Sequence, residues 1–279
     1  MDISTIIITA AVIGGISAIC GSALALAARV FAVEENPQIA ELEQLLPGIN
    51  CGACGYAGCA AYAEAIVTEN EKIDRCAPGG NDVLEALGKA TGAAVEAVEK
   101  TVALVHCAGD ASNARHRHSY NGIMDCHAAH QLAGGDMTCN YGCLGYGSCA
   151  RVCPVDAIEI KDNLAVVHPD LCIGCKACVE SCPRNLISMV PASQKIHVLC
   201  SSKDKGPIAK KACKVACIGC RICAKLDEEA FTMDGFLAKR NYSTDVSNPA
   251  VVEKCPGNCI VPVETAQERT MRKAGEPCA

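Results

Sequence analysis

The residues with the clearest chemistry are cysteines at short, regular spacing. One run reads Cys172-Ile-Gly-Cys175-Lys-Ala-Cys178-Val-Glu-Ser-Cys182-Pro183. Three thiolates at this spacing can be aimed by a single tight turn at one four-iron, four-sulfur cube. In such C-x2-C-x2-C-x3-C-P runs the fourth thiolate reaches across to a second cluster. The proline that follows lacks an N–H and ends the helical turn.

A partner run precedes it, with Cys139, Cys143, Cys149 and Cys153-Pro154. The regular middle ligand would fall at 146, where Tyr146 stands, and Cys139 is the replacement the spacing offers. The crossed rule then predicts two ligand sets: Cys139, Cys143, Cys149 and Cys182, and Cys172, Cys175, Cys178 and Cys153. A third run, Cys217-Ile-Gly-Cys220-Arg-Ile-Cys223, meets Asp227 where its fourth cysteine is due. Cys255-Pro256 follows later. Laying Cys255 on Cys182 puts Asp245, Asn248 and Val251 where Cys172, Cys175 and Cys178 stand. All four lost ligands belong to one cluster under the crossed rule. One cluster is therefore predicted to be deleted whole and one kept on Cys217, Cys220, Cys223 and Cys255. Near the N-terminus, Cys51, Cys54, Cys59 and Cys76 form another four-thiolate set, for which zinc is the rival occupant. Gly52, Gly55 and Gly58 let backbone N–H groups approach the sulfurs.

Seven cysteines fall outside these sets: Cys20, Cys107, Cys126, Cys200, Cys213, Cys259 and Cys278. Cys200, Cys213 and Cys259 flank the third run without forming a motif, and Cys107 and Cys126 are equally unplaced. Cys126-His127 with His130 has ligand-like spacing, though a solvated polar loop is the stronger reading there. No dinucleotide-binding glycine loop, phosphate-binding loop or Ser/His/Asp arrangement is present, so no catalytic residue is assigned and the chemistry belongs to the cofactors.

The elements that must carry these ligands are short. Ile3 to Ala28 holds no charged residue, and its 26 residues would reach about 39 Å as a helix, enough to cross a bilayer. A helix is expected over 34–46, another over 60–70, and a third from Asp82, as its cap, to Lys100. A strand is expected over Thr101 to His106, and a loop over 109–122. Beyond Cys139 the chain repeats: a cysteine run, then a short strand at 157–160 and 164–167, at 186–189 with another ending near Leu199, and at 230–233 and 237–238.

The fold class is therefore α+β, in the order 1–33 membrane anchor, 34–100 helical four-cysteine module, 101–136 connecting segment, 137–199 two-cluster domain, 200–265 one-cluster domain and 266–279 polar tail. Tight thiol spacing in so long a chain favours metal over disulfides. A net charge of -6 argues against a nucleic-acid surface. Arg29 is the first basic residue, which places the bulk of the chain on the cytoplasmic side.

The order of parts, with Leu46-Pro47-Gly48-Ile49-Asn50-Cys51-Gly52-Ala53-Cys54-Gly55-Tyr56-Ala57-Gly58-Cys59 and the later Cys139-Asn140-Tyr141-Gly142-Cys143-Leu144-Gly145, resembles the B subunit of Rnf electron-transport complexes along almost the whole chain. The resemblance implies about four [4Fe–4S] clusters on tandem bacterial-type ferredoxin-like modules. It implies a single-pass protein of a bacterial or archaeal cytoplasmic membrane that takes electrons from soluble ferredoxin. Those electrons go to membrane and flavin subunits, for NAD+ reduction coupled to sodium or proton transport. The chain would then be a non-autonomous subunit of an oxidoreductase. The single-cluster third module departs from family members with two cluster motifs there.

Overall fold

The computed structural model describes residues 3–30 and 36–262. The expectations for the rest of the 1–33 segment, for the tail 266–279 and for Cys278 lie outside the described residues. Contacts divide the chain into a unit ending at Glu41 and a unit starting at Leu42.

Helix α1 (Ile3–Val30) is the apolar stretch, and within it Ala11–Arg29 has a mean hydropathy of 2.0. It is long and apolar enough to cross a membrane, and Ile13, Ile16, Ile19 and Leu24 are all exposed on its surface.

Helix α2 spans Pro37–Leu45, α3 Cys59–Thr68 and α4 Gly80–Thr91. Helix α4 stops nine residues short of the expected end. Gly92, at φ 73°, takes the left-handed conformation that ends a helix cheaply only with glycine. The chain then folds back, Val98 N–H donating to Asn81 Oδ1 at 2.9 Å. Val95 lies where a side chain on Gly88 would be, 2.2 Å from its ideal Cβ. Asp82 does not cap α4; it lies in the first turn, behind Gly79.

Strand β1 is Thr101–Val105, followed by α5 (Cys126–Gln131) and α6 (Ser148–Arg151). Next come β2 (Ile158–Lys161), β3 (Leu164–Val167), α7 (Ala177–Glu180), β4 (Ile187–Pro191) and β5 (Ile196–Val198). The last elements are α8 (Gly206–Ala212), α9 (Ile222–Leu226), β6 (Phe231–Asp234), β7 (Leu237–Arg240), α10 (Ala250–Glu253) and β8 (Ile260–Pro262).

The strands pair antiparallel in four ribbons: β1 with β4, β2 with β3, β5 with β8 and β6 with β7. Val105 faces Ile187, and Val198 faces Ile260. The two halves thus share one plan. A first strand lies before the cysteine run, a hairpin follows it, and a last strand after the Cys-Pro pair returns to the first. β1 comes from the expected connecting segment but belongs by pairing with 187–191, and β5 pairs forward with β8. Two-stranded ribbons are marginal alone, and each half closes on its own apolar cluster. Ala157, Leu164, Leu186 and Val190 are buried in the first half, and Ala230, Phe231, Val251 and Ile260 in the second.

The turn chemistry repeats as well. Asp156, Asn185 and Asn258, each third after a ligand-type cysteine, have φ of 50°, 51° and 49°. Asp and Asn tolerate that region better than other non-glycine residues. The bend brings the next N–H back to the sulfur: Ala157 N donates to Cys153 Sγ at 3.3 Å and Leu186 N to Cys182 Sγ at 3.4 Å.

Candidate functional site

In the N-terminal module, Asn50 opens the loop at φ 52°, and its side chain accepts the Cys59 N–H at 2.8 Å. Tyr62, 1% exposed, donates to the Lys72 carbonyl at 2.6 Å and ties α3 to the Cys76 segment. Burial raises the Cys76 thiol, and the charges of Cys59, Cys54 and Cys51 push the same way, so three sulfurs of the set act on the fourth.

Cys153, Cys172, Cys175 and Cys178 line one cavity with Ala103 and Met189. This brings together a residue before the hairpin and three after it. The Ala103 N–H of β1 donates to Cys172 Sγ at 3.5 Å. Burial pushes Cys178 up to about 11, and the neighbouring sulfurs of Cys172 and Cys175 add to it.

Beside the other half of the crossed pair the structure brings a thiol that the spacing left unplaced. Burial raises Cys149 to about 12, and the sulfurs acting on it most strongly are Cys143, Cys126 and Cys182. Cys126 and Cys182 likewise act on Cys143. A thiol from α5, inside the segment expected to be a connector, thus stands close enough to act on this set. Asp125 caps that helix, accepting from His127 N–H at 2.9 Å and Ala128 N–H at 3.1 Å. Ser148 Oγ accepts the Cys126 N–H at 2.9 Å and donates to Asp125 at 2.7 Å. Those hydrogen bonds, from Ser148 first, hold Asp125 down to about 2. His127 bonds the Ser181 carbonyl at 3.0 Å instead of joining a ligand set.

Cys139, expected in that set, faces elsewhere. The Thr138 N–H donates to Arg115 O at 2.8 Å, and the chain turns Cys139 into a separate cavity beside Gly142, with Cys107, Cys200 and Cys213.

In the second half, Cys217, Cys220, Cys223 and Cys255 line one cavity, with Cys259 as a fifth thiol. Cys259 Sγ lies 3.7 Å from Cys255 Sγ. Cys259 stays protonated between the two flanking sulfurs and lowers both Cys217 and Cys255 by hydrogen bonding. Where the deleted cluster's fourth cysteine would stand, Asp227 is 6% exposed. Its carboxylate accepts the N–H groups of Ala230 (3.1 Å), Ser247 (2.8 Å) and Asn248 (3.3 Å), and the Ser247 hydroxyl (2.9 Å). Burial opposes its charge, but these bonds outweigh burial and keep the carboxyl below its ordinary range. Val251, 1% exposed, fills the core in place of a thiol.

Among the described residues every cysteine is a free thiol. Among them, too, no group of three or more His, Cys, Asp or Glu could hold a single ion. Three of the thiol groups, those of Cys217–Cys255, of Cys153 with Cys172–Cys178, and of Cys107 with Cys139, Cys200 and Cys213, ring hollows and do not close on a point, as a tetrahedral zinc site would require with Zn–S near 2.3 Å. All-thiolate walls with N–H groups aimed at sulfur fit a multi-iron cluster.

A mixed helix and strand chain with repeated cysteine runs and one apolar N-terminal helix defines an iron–sulfur protein. The family model for a putative Fe-S cluster matches residues 46–78, and that for a 4Fe-4S binding domain matches residues 165–188. The chain is 41% identical to the B subunit of the Na(+)-translocating ferredoxin:NAD(+) oxidoreductase complex of Acetobacterium woodii, over 92% of this chain and 78% of that one. It is 38% identical to the proton-translocating counterpart of Clostridium ljungdahlii, over 99% of both chains. It is 37% identical to the B subunit of the ion-translocating oxidoreductase complex of Methanosarcina acetivorans, over 92% of this chain and 98% of that one. The chain belongs to this family, the B subunits of Rnf-type complexes.

Proposed function

We propose that this chain is the iron–sulfur subunit that takes electrons from reduced ferredoxin and hands them to the other subunits of an Rnf-type complex, for NAD+ reduction coupled to Na+ or H+ transport. The relatives' names supply the donor, acceptor and ion. The observation that carries the role is the convergence of thiols from distant runs on shared hollows, most plainly Cys153 with Cys172, Cys175 and Cys178.

Bound [4Fe–4S] clusters would supply one-electron chemistry. The chain's part is to hold them. The proposed ligands are Cys51, Cys54, Cys59 and Cys76; Cys153, Cys172, Cys175 and Cys178; Cys143, Cys149 and Cys182 with Cys126 in place of Cys139; and Cys217, Cys220, Cys223 and Cys255. Neighbouring sets adjoin. Cys51 acts on Cys175, and a methyl at Gly174 would stand 3.8 Å from Ala77, next to Cys76. Cys178 acts on Cys149. Helix α1 serves as a single membrane anchor, with the ligand-bearing modules on the cytoplasmic side.

The test is anaerobic titration of the oxidised full-length chain with reduced ferredoxin. Paramagnetic cubane signals should grow as ferredoxin is oxidised, one electron for each cluster reduced. Ferredoxin that stays reduced in the presence of a loaded chain would reject the role.

A further inference from the structure

Four cysteines with no assigned role meet in one cavity. Cys107 lies two residues beyond β1, and Cys200 two residues beyond β5. Cys139 lies four residues before Cys143, and Cys213 four before Cys217. These are the same two positions in each half of the repeat. All four line a hollow closed by Ala114, Met137, Leu199 and Ala216. The ideal Cβ of Gly109 is 3.5 Å from both Cys107 Sγ and Cys213 Sγ, so those sulfurs are separated by no more than twice that distance. The ideal Cβ of Gly142 is 3.6 Å from Cys139 Sγ and 3.9 Å from Cys107 Sγ. Two short pairings hold the halves together there: Arg115 N–H to Ala212 O at 3.0 Å, and Lys214 N–H to Asn113 O at 2.9 Å.

We propose that Cys107, Cys139, Cys200 and Cys213 bind a further [4Fe–4S] cluster at the junction of the two halves, two ligands from each. A buried cysteine often serves only as a small apolar residue. These sulfurs are placed differently, because backbone donors address them. Gly109 N donates to Cys107 Sγ at 3.4 Å, Cys143 N to Cys107 Sγ at 3.4 Å, and Cys217 N to Cys200 Sγ at 3.3 Å. The last two bonds are repeat equivalents. Each ties this set by one backbone N–H to the first ligand of an adjoining set, Cys143 on one side and Cys217 on the other. The half-buried guanidinium of Arg184 lies beside Cys139, donating to the Cys139 carbonyl at 3.0 Å, and offsets the negative charge of a thiolate set.

The position of this set completes a line: the 51–76 set, the 172–178 set with Cys153, the Cys126 set, the junction set, then the 217–255 set. One electron moving a step along it oxidises one centre and reduces the next, with no bond made and no proton taken up. It is the electron that ferredoxin supplies. The junction set rests on the iron–sulfur reading of the chain, and its test separates the two.

The test compares full-length, anaerobically purified wild type with Cys107→Ser and Cys200→Ser, for iron, acid-labile sulfide and paramagnetic signals after reduction. Wild type should hold about twenty irons, and each variant about sixteen, at four per cluster. Both variants should lose the same signal although they lie in different halves. About sixteen irons in wild type, or two variants that extinguish different signals, overturns the junction cluster while the iron–sulfur reading stands. Zinc without sulfide overturns that reading itself. If a serine chain fails to fold, the wild-type iron count and its Mössbauer spectrum decide alone.

Discussion

The two halves of the repeat, 101–191 and 196–262, share their strand plan and their turns but differ in how many thiols they keep. The first half has thiols for both proposed clusters. The second keeps one set, and a carboxylate stands where the other would be anchored. The N–H groups of Ser247 and Asn248, which correspond to Gly174 and Cys175, point at Asp227. A cluster organises the backbone around it by accepting N–H donors. When it is lost, something anionic or polar must accept those donors, since an unpaired buried N–H is costly. Asp227 accepts such donors with its two oxygens, and Val251 takes up apolar volume beside them. A second difference lies at Arg184, whose guanidinium also reaches the carbonyls of Gly142 and Gly134. Its repeat equivalent is Gly257, where even a Cβ would stand 2.3 Å from the Ala216 carbonyl oxygen.

The largest expected effect tests the thiol count of the second half. Cys220→Ser and Cys255→Ser should each remove about four irons and the same spectroscopic signal. Cys259→Ser should leave the iron content unchanged, because its thiol is the extra one. Iron and sulfide analysis with electron paramagnetic resonance checks all three, and separate signals for Cys220 and Cys255 would break the claim that only one cluster was deleted.

Next comes the carboxylate that replaced the cluster. Asp227→Ala leaves the buried Ala230 N–H and the more exposed N–H groups of Ser247 and Asn248 without this acceptor and should cost about 2 kcal/mol in denaturant unfolding. Its pH dependence has a definite sign. The folded carboxyl sits below the ordinary value of about 3.9, so its stabilisation is present above about pH 4 and fades as pH falls through the folded value. Asp227→Asn should lack that acid limb, and an unchanged limb would show that Asp227 is not the replacement acceptor.

Arg184→Gln should make the nearby first-half clusters harder to reduce, moving their potentials negative in a redox titration and leaving the 217–255 set unmoved, because only the first half carries this cation. The smallest effect is at the inserted helix. Asp125→Ala removes an N-cap and should cost about 1 kcal/mol by thermal or denaturant unfolding. It should also broaden the signal of the set that uses Cys126. A matching change in the 217–255 signal would mean that the insert does not serve the first half alone.

The parts legible in the sequence were those written locally. The Cys172–Cys182 run and the hairpins follow from spacing alone. The nearness of Cys126 to Cys143 and Cys149 was missed because it lies 17 residues before Cys143, on a helix that no spacing rule connects to the run. Cys139 is nearer in sequence, but beside the pairing of Thr138 with Arg115 it lines a different cavity. Cys107, Cys200 and Cys213 were missed because the cavity they line forms only when β1 returns to β4 and β5 to β8, pairings between strands far apart in the chain. A signal was available: aligned by repeat, Cys107 matches Cys200 and Cys139 matches Cys213. The overlong 82–100 helix failed at Gly92, a stop signal outweighed by the alanine- and glutamate-rich stretch after it.

The central claim is that ligands cross between runs, so that Cys153, before the β2–β3 hairpin, serves the cluster after it, while Cys182 and Cys255, after their hairpins, serve the clusters before them. The most direct measurement is the set of paramagnetic signals in reduced Cys153→Ser, compared with Cys178→Ser and Cys149→Ser. The crossed arrangement requires Cys153→Ser to lose the signal lost in Cys178→Ser and keep the one lost in Cys149→Ser. Loss of the Cys149 signal in Cys153→Ser, with the Cys178 signal intact, would contradict it.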